Sequence, residues 1–152
     1  MTSGYSQTPL ARKLGIAPGD RVEVVGDPGH LAGLLDPLPK GARLIRNPRA
    51  PCPVVVAFAP TTKRFRTVFS RLLRRLPADG ALWIAWPKKS SPLHVDVVED
   101  TIRTAALQVG LVDNKVCALD RDWSGLRLVV RRENRGAWSP DGSPAGGRAA
   151  PR

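Results

Sequence analysis

Two six-residue apolar runs mark the middle of the chain, at 54–59 and 81–86. Each is bounded by turn-forming residues, and the second stops at Pro87 and the pair Lys88-Lys89. Unbroken apolar runs of this length predict strands covered on both faces, as in a parallel sheet. Runs at 21–25, where Val22, Val24 and Val25 are apolar, and at 42–46 predict two further strands. Runs at 111–119 and 126–132 predict a closing pair. The segment between them, holding Asp120, Asp122, Trp123, Ser124 and Gly125, reads as a turn, so the pair is expected to be antiparallel.

The helical spacing is clearest at Phe65, Val68, Phe69, Leu72, Leu73 and Leu76, which fall on one stripe. Thr61 and Thr62 are its candidate caps. A short helix over 9–14 is expected, with Thr8 as cap, Pro9 in the first turn and Gly15 at the end. Residues 30–35 predict a helical turn or two. Asp96 and Glu99 have the spacing of a capping box for a last helix, whose buried face would be Val98, Ile102, Ala105, Ala106 and Val109. The segment 47–53 holds three prolines and must cross between strands as loop.

Strands alternating with helices imply a Rossmann-like three-layer α/β/α sandwich, mostly parallel, with a C-terminal antiparallel hairpin. One such domain would span 1–132. From Glu133 the composition shifts to Gly, Pro, Ser, Ala and Arg, which predicts a disordered basic tail over 133–152.

The formal charge of +11 favours anionic partners: a small molecule, an acidic protein surface or nucleic acid. Eighteen of the 24 basic residues are arginine, and a GC-rich coding bias would produce the same excess without a function. Cys52 and Cys117 have no zinc spacing; Cys117, in an apolar strand, is expected to be a small core residue, and Cys52, between two prolines, to be inert. No metal site is expected. No charged-then-apolar leader pattern and no apolar run near about 18 residues occurs, so a cytoplasmic protein without membrane contact is expected.

In open α/β sheets ligands collect beyond the carboxyl ends of the strands. The side chains falling there are Gly26, Asp27, Gly29, His30, Asn47, Thr61, Thr62, Pro87, Lys88, Lys89 and Trp123. Each has a structural role beside the functional one. Asp27 would cap a helix and leave His30 merely exposed. Lys88 and Lys89, leaving a rigid strand, suit a phosphate or carboxylate, or else form a solvated turn. Trp83 and Trp86 must face opposite sides of their strand; Trp86 is placed to stack on a flat ligand or to fill the core. His94 follows the same strand. Lys63, Arg64, Arg71, Arg74 and Arg75 form a basic helix face suited to a nucleic-acid backbone, without interleaved aromatics for base stacking. No G-x-S-x-G, phosphate-loop or paired-carboxylate arrangement is present, so no catalytic residue is assigned.

The segments LGIAPGDRVEVVG, LPADGALWIAWPKK and LVDNKVCALDRDWSGLRLVVRR resemble the class I methyltransferase-like Rossmann fold. More closely, GYSQTPLARKLGI, ALWIAWPKKSS and GLVDNKVCALDRDWSGLRLVVRR resemble a short bacterial family of unknown function. The likeness covers roughly 4–132 and carries no activity. The wider resemblance implies S-adenosylmethionine as cofactor, and three departures argue against it. The first loop is Gly26-Asp27-Pro28-Gly29 where such enzymes have a glycine-rich loop, and proline removes a backbone donor. Arg46-Asn47 stands where an acidic residue would hold the ribose. Trp86-Pro87-Lys88-Lys89 replaces the motif of amino-methylating enzymes. The leading expectation is a non-catalytic binding or regulatory module with no cofactor. The alternatives are a divergent S-adenosylmethionine-dependent methyltransferase and a non-specific nucleic-acid-binding protein.

Overall fold

A computed structural model describes residues 8–138. In chain order the elements are α1 (Leu10–Lys13), β1 (Arg21–Val25), α2 (Leu31–Leu35), β2 (Arg43–Ile45), β3 (Val54–Phe58), α3 (Thr62–Leu73), β4 (Ala81–Pro87), α4 (Glu99–Gln108), β5 (Leu111–Ala118) and β6 (Trp123–Val130), followed by a 3-10 helix over Arg132–Ala137. The six strands form one sheet in the order β2-β1-β3-β4-β6-β5. The first four are parallel neighbours, and β6 runs antiparallel between β4 and β5. The fold is thus the expected mixed α/β sandwich, mostly parallel with a C-terminal hairpin.

The two unbroken apolar runs take the two central positions. Every residue of β3 and of β4 is buried, because helices cover the sheet on both sides. One apolar cluster packs α3 and α4 on Val55, Leu82, Ile84 and Trp86; the other packs α1 and α2 on Val22, Val56 and Trp83. Trp83 and Trp86 therefore face opposite layers, as the period of two requires. The Trp83 indole N–H donates to the Leu14 carbonyl at 2.9 Å, which satisfies its polar atom inside the core. Gly125 on β6 lies over that ring; a Cβ there would come within 3.1 Å of it.

From β1 the chain goes outward to β2, then returns past β1 to β3 through the irregular 46–53 segment, as expected. Glu23 is buried on β1, and the Arg75 guanidinium meets its carboxylate at 3.3 Å. The Nε–H is not aligned for a hydrogen bond, so the contact is an ion pair in a nearly dry site. Arg75 also donates to the Pro48 carbonyl at 2.8 Å and, at 3.4 Å, to that of Ala50. It fastens the crossover to the end of α3.

Several local expectations need correction. Pro9, not Thr8, occupies the cap of α1, which is only four residues long. Asp96 does not cap α4. Its carboxylate accepts from the Thr62 N–H at 2.8 Å, across the top of the sheet. The cap position is Val98, whose N–H donates to the Thr101 hydroxyl. Val109 lies past α4 and is exposed. β6 begins three residues early, so Trp123 is a strand residue rather than part of the turn. The folded chain also runs beyond Arg132: the Asn134 side chain donates to Gly110, and the Trp138 indole donates to the Leu76 carbonyl at 2.7 Å. Residues 133–138 are therefore part of the fold rather than of a tail, and 139–152 lie outside the described residues. Among the described residues no helix is long and apolar enough to cross a membrane.

Candidate functional site

The order of strands puts the crevice of the fold beyond the C-terminal ends of β1 and β3, where the chain reverses its direction of winding. The loop after β1 is built around Asp27. One carboxylate oxygen accepts from the N–H groups of Gly29, His30 and Leu31, at 2.8, 3.2 and 3.3 Å, and so closes the start of α2. Gly26 has φ 70°, and a Cβ would sit 3.2 Å from the Phe58 carbonyl. This loop is pressed onto β3 and requires glycine there.

Asp27 caps as expected, but His30 is not simply exposed. Its Nε2 lies 2.8 Å from the Asp120 carboxylate on the β5–β6 turn, and its Nδ1 faces Asp27 at 3.9 Å. With a carboxylate at each ring nitrogen, His30 is held as a brace between two loops. Nε2 is engaged by Asp120, while Nδ1 stands beyond hydrogen-bond distance of Asp27. The other Asp120 oxygen accepts from the N–H groups of Asp122 and Trp123, both at 2.8 Å. Burial pushes the Asp120 carboxyl upward, but those two N–H donors and the His30 ring outweigh it and hold it below the ordinary aspartate range. Beneath the brace, Phe58 meets Trp123 edge-on with ring centroids 5.1 Å apart. The crevice expected as one rim is therefore closed in its middle by His30, Asp120, Phe58 and Trp123.

Two hollows remain on either side. One, of about 240 Å³, is lined by Val24, Val25, Gly26, Asp27, Arg46 and Asn47. It lies where a nucleoside would be expected from the resemblance, but it is small and carries a guanidinium where a ribose-binding carboxylate would stand. Asn47 reaches its place with φ 51°, a left-handed conformation that asparagine tolerates better than most residues. The second hollow, of about 460 Å³, lies at the end of β4 and is lined by Trp86, Lys88, Lys89, Val98, Glu99, Asp100, Arg103 and Ser124. Neither lining includes Gly29, His30, Thr61, Thr62, Pro87 or Trp123. Thr61 caps α3, accepting from the Arg64 N–H at 3.0 Å, and the Thr62 N–H is taken by Asp96. Pro87 is the last residue of β4 and is buried; its carbonyl bonds His94.

The backbone at the second hollow is fixed. The Lys88 N–H donates to the Asp122 carbonyl at 2.8 Å, and the Ser91 hydroxyl donates to the Asp122 carboxylate at 2.9 Å. Arg103 is already paired with Glu99, Asp100 and Asp113, and its pKa is raised, chiefly by the hydrogen bond to Glu99 and then by that to Asp113. Lys88 and Lys89 make no ion pair among the described residues. Sequence reasoning missed Arg103, Ser124 and Asp120. The run Asp120-Arg121-Asp122-Trp123 did carry a local signal, since aspartate commonly bonds N–H groups two and three residues on. Its partnership with His30, 90 positions away, left none.

Of the five residues expected to form a nucleic-acid face, Lys63, Arg64, Arg71 and Arg74 are exposed, whereas Arg75 turns inward to Glu23. Cys52 is fully buried and Cys117 half-buried, and burial raises both thiols. Among the described residues no group of three or more His, Cys, Asp or Glu is placed to hold a metal.

Comparison with solved structures finds a likeness to a SAM-dependent methyltransferase from Aquifex aeolicus, with 12% identity, a TM-score of 0.49, and coverage of 80% of this chain and 88% of that one. LepI complexes, one with SAM and one with SAH and a substrate analogue, match at 14% identity with a TM-score of 0.46. They too align with 80% of this chain, which spans 39% of theirs. No curated protein matches the chain. A family model described as a protein of unknown function (DUF3052) matches residues 67–132. That stretch contains ALWIAWPKKSS and GLVDNKVCALDRDWSGLRLVVRR, so the family it resembles is, as those motifs implied, one without an assigned activity.

Proposed function

We propose that the chain is a binding module that holds an anionic small molecule in the hollow at the end of β4. Lys88 and Lys89 supply the charge, Trp86 forms the inner wall, and Ser124 offers a hydroxyl. The observation that carries this reading is the pair of ammonium groups without a direct ion pair, on backbone pinned to the Asp122 turn, in a hollow whose carboxylates Glu99 and Asp100 are already bonded to Arg103. A rigid base lowers the ordering cost of a binding contact. The methyltransferase reading has less support, because the loop after β1 is pressed against Phe58 and the hollow beside it is small and bears Arg46.

The test is calorimetric titration of the full chain with inorganic pyrophosphate and with adenosine diphosphate, beside Lys88→Glu/Lys89→Glu. Saturable heat that disappears in the double variant is the expected result. Equal heat from both proteins, or none from either, removes the lysine pair from the reading. Saturable binding of S-adenosylmethionine would return the enzyme reading to first place.

A further inference from the structure

The net charge of this chain is not spread along it. Between residues 37 and 78 there are ten Lys or Arg side chains and neither an Asp nor a Glu; outside that stretch bases outnumber acids by one. A coding bias toward arginine would raise basic residues throughout and would not clear one segment of carboxylates.

The fold places the ten on the β2 edge, the crossover after it and α3, with Arg66 alone lining the groove toward α4. Lys40 and Arg43 lie at the β2 edge, Arg46 and Arg49 on the crossover, and Lys63, Arg64, Arg66, Arg71 and Arg74 on α3 or its cap. These nine are exposed, and none makes an ion pair among the described residues. The tenth, Arg75, bonds the carbonyls on either side of Arg49 and so holds the basic crossover against the end of the basic helix. The first turn of α3 has no acidic residue. Lys63 and Arg64 oppose the helix dipole there, whereas Arg71 and Arg74 suit its negative end but repel each other at a spacing of three. At the start of α3 the fold keeps cations that cost it stability.

We propose that this flank docks the sugar-phosphate backbone of a nucleic-acid duplex, without regard to sequence. Its residues differ from those of the β4 hollow, so it stands apart from that reading. Thr67 and Ser70 are exposed among the cations of α3, and guanidinium, ammonium and hydroxyl groups are the usual phosphate contacts. Both aromatics of α3, Phe65 and Phe69, are buried, so the surface offers no stacking to single-stranded bases. Its apolar stripe faces the core, which leaves nothing to insert into a lipid surface. A helix of this length runs about 18 Å, over which one strand presents about five phosphates.

Fluorescence anisotropy of the full chain with a labelled random-sequence DNA duplex tests this. With about three phosphates neutralised, affinity should fall about 40-fold between 50 and 200 mM salt. Arg71→Glu/Arg74→Glu should weaken binding at least about tenfold at low salt. Lys88→Glu/Lys89→Glu makes the same change in net charge and should leave duplex affinity within about threefold. Thermal melts check that the variants are folded. The proposal is overturned by absence of duplex binding at 50 mM salt, by equal losses in the two variants, or by binding to phosphatidylserine vesicles without binding to duplex.

Discussion

α3 and α4 lie on the same face of the sheet and share one apolar cluster, yet they handle charge in opposite ways. α4 opens with Glu99 and Asp100, which suit the positive end of a helix, and its Arg103 is gripped by both and by Asp113 on β5. α3 opens with cations and has no carboxylate of its own; the one at its start is Asp96, from the loop before α4, which takes the Thr62 N–H. The charges of α4 are spent within the fold. Those of α3 face outward, at a cost to the helix where they stand in its first turn, and the one cation at its end that turns inward, Arg75, does so to meet the buried Glu23. An arrangement that disfavours folding is informative about function in a way that a satisfied ion pair is not.

The largest effect should come from that inward exception. Arg75→Ala leaves the Glu23 carboxylate buried without a partner and releases the crossover, so stability should fall by about 3 kcal/mol in urea unfolding. A loss below about 0.5 kcal/mol would mean that the pair is solvated and that Arg75 belongs with the outward cations. Asp120→Ala should cost about 2 kcal/mol, since it orphans two N–H groups and the His30 brace. Because the folded Asp120 pKa is depressed, that contribution is complete above the ordinary aspartate range near about pH 4 and fades as pH falls through the lower folded value. Wild type and variant melting curves should therefore draw closer in acid and stay furthest apart at neutral pH. Arg103→Ala should cost about 1 kcal/mol, because its network is partly exposed. Arg64→Glu should do the reverse on α3. It places a carboxylate at the third helical position after Thr61, completes a capping box and removes a misplaced cation, for a gain of about 0.5 kcal/mol. Destabilisation by Arg64→Glu would remove the claim that α3 bears a charge cost.

The sheet was legible because β3 and β4 are apolar at every position, a pattern that only full coverage satisfies. The amphipathic stripe of α3 was legible for the same reason: one face must leave water. The local caps were less so. Asp96 and Glu99 matched a helix-start spacing, but the Asp96 carboxylate found the Thr62 N–H, a donor that the linear chain places 34 positions away. Trp123 looked like a turn residue because its neighbours are turn formers, and pairing with Pro87 of β4 drew it into a strand.

By itself, then, the sequence determined which segments are strands and helices, that they alternate into a covered sheet, and that Lys88 and Lys89 leave the end of a central strand. Hydrophobic periodicity suffices for that, since burial depends on short-range pattern. Only the tertiary structure decided that His30 and Asp120 brace the crevice across its middle, that Arg75 serves the core while its neighbours face solvent, and that hollows stand on either side of that brace. Charges and hydrogen-bond donors choose partners by proximity in space, and proximity between residues many tens of positions apart exists only once the chain has folded.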